Sequence, residues 1–183
     1  MEVTFSGVNL TNANLTGAEL AFADLSTATL TDANFTDANV WDANFHSATS
    51  RGFTASQLYS TASYQAKDVW GMRLSGNDLT GWNFAGQTTN YVDFSSSTLA
   101  GTDFSDAQIR GTRFVDVTSR GFTAEQLYST ASYQSHDLAF VDLSYNDMSG
   151  WNFDGQRFED SFDYGKAALV GAMLVDAEVD PKD

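Results

Sequence analysis

The chain has 183 residues, no cysteine, and 24 acidic against 9 basic side chains, a formal net charge of −15. That length fits one domain with a continuous core, and the missing thiols exclude disulfides, thiol catalysis and thiolate metal sites. The charge argues against direct binding to nucleic acid or an anionic membrane. No apolar run of about 18 residues and no basic start with an apolar stretch is present, so neither a membrane-spanning helix nor a secretory signal is expected. The compartment stays open.

From the start, nearly every fifth residue is large and apolar: Phe5, Leu10, Leu15, Leu20, Leu25, Leu30, Phe35, Val40 and Phe45. Two places before each stands a small one, as in Val3, Ala13, Ala18, Ala23 and Ala43. A period of five fits neither a helix nor a strand. It fits a solenoid in which each side is one five-residue unit. The large and small residues point inward together, as alternation in an extended segment requires. The other positions are Asn, Asp, Thr, Ser and Gly, which face water and suit tight turns. Before Arg51 there is no Lys or Arg, while Glu19, Asp24, Asp32, Asp37 and Asp42 are acidic. Those five carboxylates are candidate partner-facing residues. Their plainer reading is a solvated surface that opposes aggregation.

The period then breaks. SRGFTASQLYSTASYQAKD, residues 50–68, recurs as SRGFTAEQLYSTASYQSHD, residues 119–137, an offset of 69. The likeness continues through GWNFAGQ and GWNFDGQ. Thr54 with Gln57, and Thr123 with Gln126, have capping-box spacing. The pattern predicts a short helix over 54–62 and another over 123–131. If each stretch holds two solenoid sides plus nine extra residues, the offset equals three whole coils plus nine. Both helices then lie on one face, roughly 14 Å apart along the axis. Tyr59, Tyr64, Tyr128, Tyr133, Trp82 and Trp151 read as clusters that pin each helix to its coil. Tyr59 and Tyr128 are also candidate partner contacts, because aromatic side chains anchor interfaces.

Around these stretches the large positions continue, as in Leu74, Leu79, Phe84, Phe94, Phe104 and Phe114, then Leu138, Leu143, Met148, Phe153 and Phe158. The small position becomes Asn77, Trp82, Gln87, Thr102 and Thr112, then Asn146, Trp151 and Gln156. An inward Trp beside a Phe is too bulky for a regular coil, so the bore is expected to widen or distort there. Inward Asn and Gln need hydrogen-bond partners, most simply the turn backbone. From Phe158 to Leu169 the spacing is 11 rather than 10, which predicts a one-residue bulge around 163–166.

The units TNANL, TGAEL, AFADL, TDANF and TDANV match the pattern A-(D/N)-(L/F)-x-x, and in this the chain resembles the pentapeptide-repeat family. The resemblance implies an all-β fold: a right-handed quadrilateral β-helix with one pentapeptide per side. Residues 1–183 then form a single domain with short α-helical inserts near 51–68 and 120–137. At about 4.8 Å per coil, about eight coils make a rod on the order of 40 Å long. The function expected is a non-catalytic structural or protein-interaction solenoid, with no cofactor, no metal and an unidentified protein partner. Some members of the family bind type II topoisomerases as DNA mimics. The acidity makes an acidic mimic directed at DNA gyrase or another DNA-binding protein the alternative. Those members pair through a C-terminal helix, whereas this chain ends in VDAEVDPKD. Open coils around Leu169 and Leu174 invite end-to-end self-association instead. The repeat is already in register at Phe5, which leaves the first coil exposed, so an excised domain or an end that stacks on something is expected. His46 and His136 are not equivalent, since Lys67 stands where the second copy has His136. With no metal-ligand spacing or phosphate loop, no residue is assigned a catalytic role.

Overall fold

The structure, a computed structural model, describes residues 3–158 together with 172–173, 175 and 177–179. Parallel bridges join Thr4 to Asp24, Asn9 to Thr29, Asn14 to Asn34 and Glu19 to Asn39, each a step of 20 residues. Four bridged sides per step make a four-sided parallel β-helix, of the right-handed kind that pentapeptide repeats form. Each side bonds to the next coil through its backbone. Leu15 N donates to Asn34 O at 2.8 Å and Asn34 N to Ala13 O at 2.9 Å. A coil therefore satisfies its main chain only through its neighbours.

The corners follow from the residue types. After Leu15 the chain turns, and Ala18 N closes on Leu15 O at 3.0 Å. Asn14 Oδ1 accepts from Thr16 N at 3.1 Å and from Thr16 Oγ1 at 2.6 Å. The Asn or Asp before each large residue is thus a cap for the turn after it. Gly17 has φ 65°, and the same corner position holds Asn12, Asp32, Asp37 and Asp42 at positive φ. Glycine takes that conformation freely, and Asn and Asp tolerate it better than other side chains.

Inside, the large residues stack in columns. The first side carries Leu25, Phe45, Leu74, Phe94, Phe114 and Leu143, all fully buried. Phe84 stacks on Phe104 at 5.7 Å, and Phe94 on Phe114 at 5.5 Å, with interplanar angles of 11°. Between the columns Phe84 meets Phe94 edge-on at 5.1 Å, and Phe94 meets Phe104 edge-on at 5.4 Å.

The bridge step lengthens to 29 between Asn44 and Arg73 and again between Arg113 and Asp142, nine residues beyond a coil. In the first place the chain makes a 3-10 turn at Thr49–Arg51, then α1 (Ala55–Tyr59) and α2 (Ala62–Gln65). The second place repeats this as a 3-10 turn at Thr118–Arg120, α3 (Ala124–Tyr128) and α4 (Ala131–Gln134). The single helix expected over 54–62 is therefore two short ones. Thr54 and Gln57 form the capping box of α1. Thr61 then interrupts: its hydroxyl donates to Leu58 O at 2.7 Å and accepts from Tyr64 N at 3.2 Å, starting α2. The chain does not leave the core. Phe53 enters the second side, stacked on Phe45 at 4.3 Å, and Leu58 of α1 fills the third side at 0% exposure. Gly52 permits the entry, because a Cβ there would stand 2.8 Å from the Thr31 backbone and φ is 93°.

Of the two outcomes expected at Trp82, a wider or a distorted coil, its surroundings show a local distortion. Its ring lies 5.8 Å from Phe53, 6.4 Å from Phe84 and 6.4 Å from Tyr59. It fills room under the bulged chain, and Trp151 does the same beside Phe122 and Tyr128. Near the end, Asn152 pairs with Met173 and Arg157 with Glu178, steps of 21. Residues 163–166, where the extra residue is expected, lie outside the described residues, as do Leu169 and Leu174.

Candidate functional site

Where the helices replace a strand, the coil above loses its backbone partners, and side chains take their place. Tyr59 Oη accepts from Asn83 N at 2.6 Å, while Tyr64 Oη donates to Asn83 O at 2.8 Å. Tyr128 and Tyr133 do the same for Asn152. Asn77 ties the start of the module: Nδ2 donates to Phe45 O at 2.9 Å and Leu74 O at 2.8 Å, and Oδ1 accepts from Thr49 N at 2.8 Å. Gln87 ties its end through Nε2 to Tyr64 O at 3.2 Å. Gln57 Nε2 reaches the coil below at Leu30 O and Ala33 O, both 2.8 Å. In the second copy Gln126 reaches Leu99 O and Thr102 O. The bridge steps place Leu30 and Leu99 on the same side, three coils apart. Both modules therefore face one direction.

The tyrosine arrangement has a consequence for pH. Burial, then the neighbouring Tyr128 and Asp154, pushes the Tyr133 phenol up to about 12. The folded state holds a proton that the unfolded chain releases near pH 10, so this stabilisation is whole below about 10 and lost as pH rises toward about 12. The proton is also the one donated to Asn152 O at 2.7 Å. Urea midpoints across that range should fall with pH, and Tyr133→Phe should flatten the slope.

Each module borders a groove. The first, about 620 Å3, is lined by residues that include Thr49, Ser50, Phe53, Asp78, Trp82 and Thr98, with Arg120 of the second module at its lip. The second, about 410 Å3, is lined by Thr118, Ser119, Phe122, Thr123, Asp147 and Trp151. All six correspond to residues of the first groove at the 69-residue offset. The Thr80 hydroxyl and backbone N–H hold the Asp78 carboxyl below its ordinary range, and Ser149 does the same for Asp147.

The sequence-derived candidates are spread over the rod. Tyr59 and Tyr128 are half-buried, with their hydroxyls engaged as described. Glu19 accepts from Asn39 Nδ2 at 3.0 Å on the fourth side, and Asp24 caps Ser26 N at 3.0 Å on the first. Asp32, Asp37 and Asp42 occupy three successive corners. On the first side the acids alternate with cations, Arg113 lying 3.8 Å from Asp93 and 3.4 Å from Asp142.

Sequence reasoning missed the corner between the fourth and first sides. There Phe22 meets Trp41 edge-on at 5.1 Å, Trp41 stacks on Trp70 at 4.4 Å, and Tyr91 follows at 5.4 Å. Tyr91 lies against Gly111, whose added Cβ would meet the ring at 2.5 Å. Further along, the Arg110 guanidinium sits 4.7 Å from the Phe140 ring. The available signal was the 20-residue register, with the 29-residue steps included, applied to outward positions. Among the described residues no three His, Asp or Glu side chains gather as a metal site, and no helix is long and apolar enough to cross a membrane. His46 Nδ1 lies 2.9 Å from Ser75 Oγ.

Residues 2–32 and 78–114 match the family model for pentapeptide repeats, in eight copies. No curated relative matches the sequence. Among solved structures, HetL is a pentapeptide-repeat protein involved in heterocyst differentiation regulation in the cyanobacterium Nostoc. It is 19% identical over 97% of this chain and 87% of its own, with a TM-score of 0.37. QnrB1, a plasmid-mediated fluoroquinolone resistance protein, is 15% identical over 100% of this chain and 86% of its own, with a TM-score of 0.23. Likenesses this distant carry nothing about partner or activity. Over residues 2–32 and 78–114 the chain is thus similar to pentapeptide-repeat proteins, and the 20-residue step of the structure runs on beyond the matched repeats.

Proposed function

We propose that the chain is a non-catalytic protein-interaction solenoid, a single domain over 1–183 of about eight coils stacked at about 4.8 Å. Its helical modules at 51–68 and 120–137 present a repeated contact surface. The observation that carries this reading is the pair of equivalent grooves on one side, three coils apart. A rigid rod with two like sites suits a partner that is itself repetitive, since the second contact then forms at high effective concentration. Tyr59 and Tyr128 pack beside Trp82 and Trp151, which line these grooves, and the acidic corners at Asp32, Asp37 and Asp42, with Glu19 and Asp24, favour a basic partner.

The test is a photo-crosslinking side chain placed at Ser96, beside the first groove, and separately at Gln108 on the fourth side. In a lysate of the source cells, Ser96 should yield one discrete adduct and Gln108 none. Equal adducts at both positions, or none at either, would remove this reading.

The alternative is an acidic mimic of DNA that engages gyrase or another DNA-binding protein, supported by the absence of Lys and Arg before Arg51. The interleaved Asp93, Arg113 and Asp142 speak for a compensated first side rather than an unbroken anionic stripe. A gyrase supercoiling assay decides it. Inhibition or protection at micromolar protein, weakening as salt rises, supports the mimic; no effect rejects it.

A further inference from the structure

The two modules are copies, but the corners beside them differ, and the difference points to a ligand. In the second copy Arg110 Nη1 lies 3.5 Å from Asp137 Oδ2, and Arg157 Nη1 lies 3.9 Å from Asp137 Oδ1. At the 69-residue offset, Asp137 corresponds to Asp68, Arg110 to Trp41 and Arg157 to Thr88. Asp68 keeps the backbone role of its copy: its Oδ1 accepts from Trp70 N at 3.2 Å, as Asp137 Oδ1 accepts from Ala139 N at 3.2 Å. Among the described residues, however, no cation pairs with Asp68. Beside it lies a cavity of about 410 Å3, lined by Asn39, Trp41, Ala62, Ser63, Ala66 and Asp68. The adjacent Lys67 is turned toward Tyr64, its ammonium 5.9 Å from that ring.

We propose that this cavity binds the guanidinium of an arginine side chain presented by a partner protein. Arg110 is then the built-in partner of the equivalent carboxylate, Asp137, in the second copy. The second copy shows what the corner accommodates: a guanidinium against an aspartate, with an aromatic ring alongside. The first copy keeps the carboxylate without the cation: Trp41 stands where the second copy has Arg110, and Gly71 where it has Phe140. Asp68 supplies the carboxylate, whose planar geometry fits the guanidinium fork. Trp41, whose ring packs against Phe22 and Trp70, lines the cavity as an apolar wall. Ala62 of α2 and Ala66 just after it give the aliphatic stem an apolar wall. The net charge of −15 draws a basic segment to this surface.

The site rests on the protein-binding reading only in that a protein supplies the arginine. Its test uses a small probe and is independent of the crosslinking result. N-acetyl-L-arginine amide is titrated into the full chain, and the indole N–H signals of Trp41 and Trp70 are followed by NMR. Saturable shifts are expected, absent with the neutral isostere N-acetyl-L-citrulline amide. Asp68→Asn should weaken binding about tenfold or more. That variant should fold, because Asn39 already caps the same corner type through Oδ1 to Trp41 N at 3.1 Å. Arg110→Ala should open a second saturable site, read at Ala139 and Phe140. No saturable shift in the folded protein, equal shifts with citrulline, or unchanged binding in Asp68→Asn would overturn the site. A single site in Arg110→Ala would overturn the assignment of Arg110 as built-in partner. If the probe binds and the Ser96 crosslink fails, the pocket stands and the groove reading falls; the reverse pair of results does the opposite.

Discussion

Phe94→Ala should lower the unfolding free energy by about 4 kcal/mol, within the range for removing a buried phenylalanine. Phe94 is fully buried at the centre of the ring ladder, edge-on to Phe84 and Phe104 and stacked on Phe114. The bore is lined by side chains from fixed backbone sides, so the coil has little freedom to collapse into the space left behind. At roughly 3 °C per kcal/mol for a chain of this size, the melting temperature should drop by about 12 °C. Urea denaturation and calorimetry measure both quantities. Phe5→Ala should cost clearly less, because Phe5 is only partly buried. Equal losses for the two substitutions would show that the columns are not the main support of the rod.

Asn77→Leu should cost about 3 kcal/mol although leucine is as large and more apolar. Asn77 is 2% exposed. Its removal leaves Thr49 N without its acceptor and withdraws a donor from Phe45 O and Leu74 O. Those carbonyls keep other partners, Ala48 N and Ser97 Oγ, so the part-buried N–H of Thr49 carries most of the cost. Hydrogen exchange should locate the damage. Amides of α1 and α2 should exchange faster than those of residues 5–30, because the lost bonds anchor the start of that module. Asn146→Leu should act on α3 and α4 in the same way, through Val117 N and Thr118 N. Uniform loss of protection along the chain would reject this role.

The two substitutions probe parts that differed in how visible they were in the sequence. Phe94 is plain from the period of five, since a large residue at every fifth place can only line a common interior. Asn77 was visible as a polar residue at an inward place. Its need for a partner followed from burial, but which groups it would bond did not. Two of those groups come from the chain 28 and 32 residues earlier, whereas Leu74 O is local. The tyrosines of the modules show the same divide. Their clustering with tryptophan could be read from the repeat, whereas their work as stand-ins for a missing strand depends on Asn83 and Asn152.

What the sequence determined by itself was the winding. The five-residue alternation sets which residues face inward, the Asn or Asp before each large residue caps the following corner, and the offset of 69 sets both modules on one side. These are local or periodic properties, so one chain of residues suffices to read them. Tertiary structure decided the rest. It split each predicted helix in two, moved Phe53 and Leu58 into the core, and found room for Trp82 beneath the bulge. It also set Trp41 against Trp70 and left Asp68 beside an open cavity while Asp137 holds Arg110. The split of each helix is local, through Thr61 and its equivalent Thr130, but the pairing of Trp41 with Trp70 and the surroundings of Trp82 and Asp68 depend on contacts between coils, and the period leaves such positions free to vary.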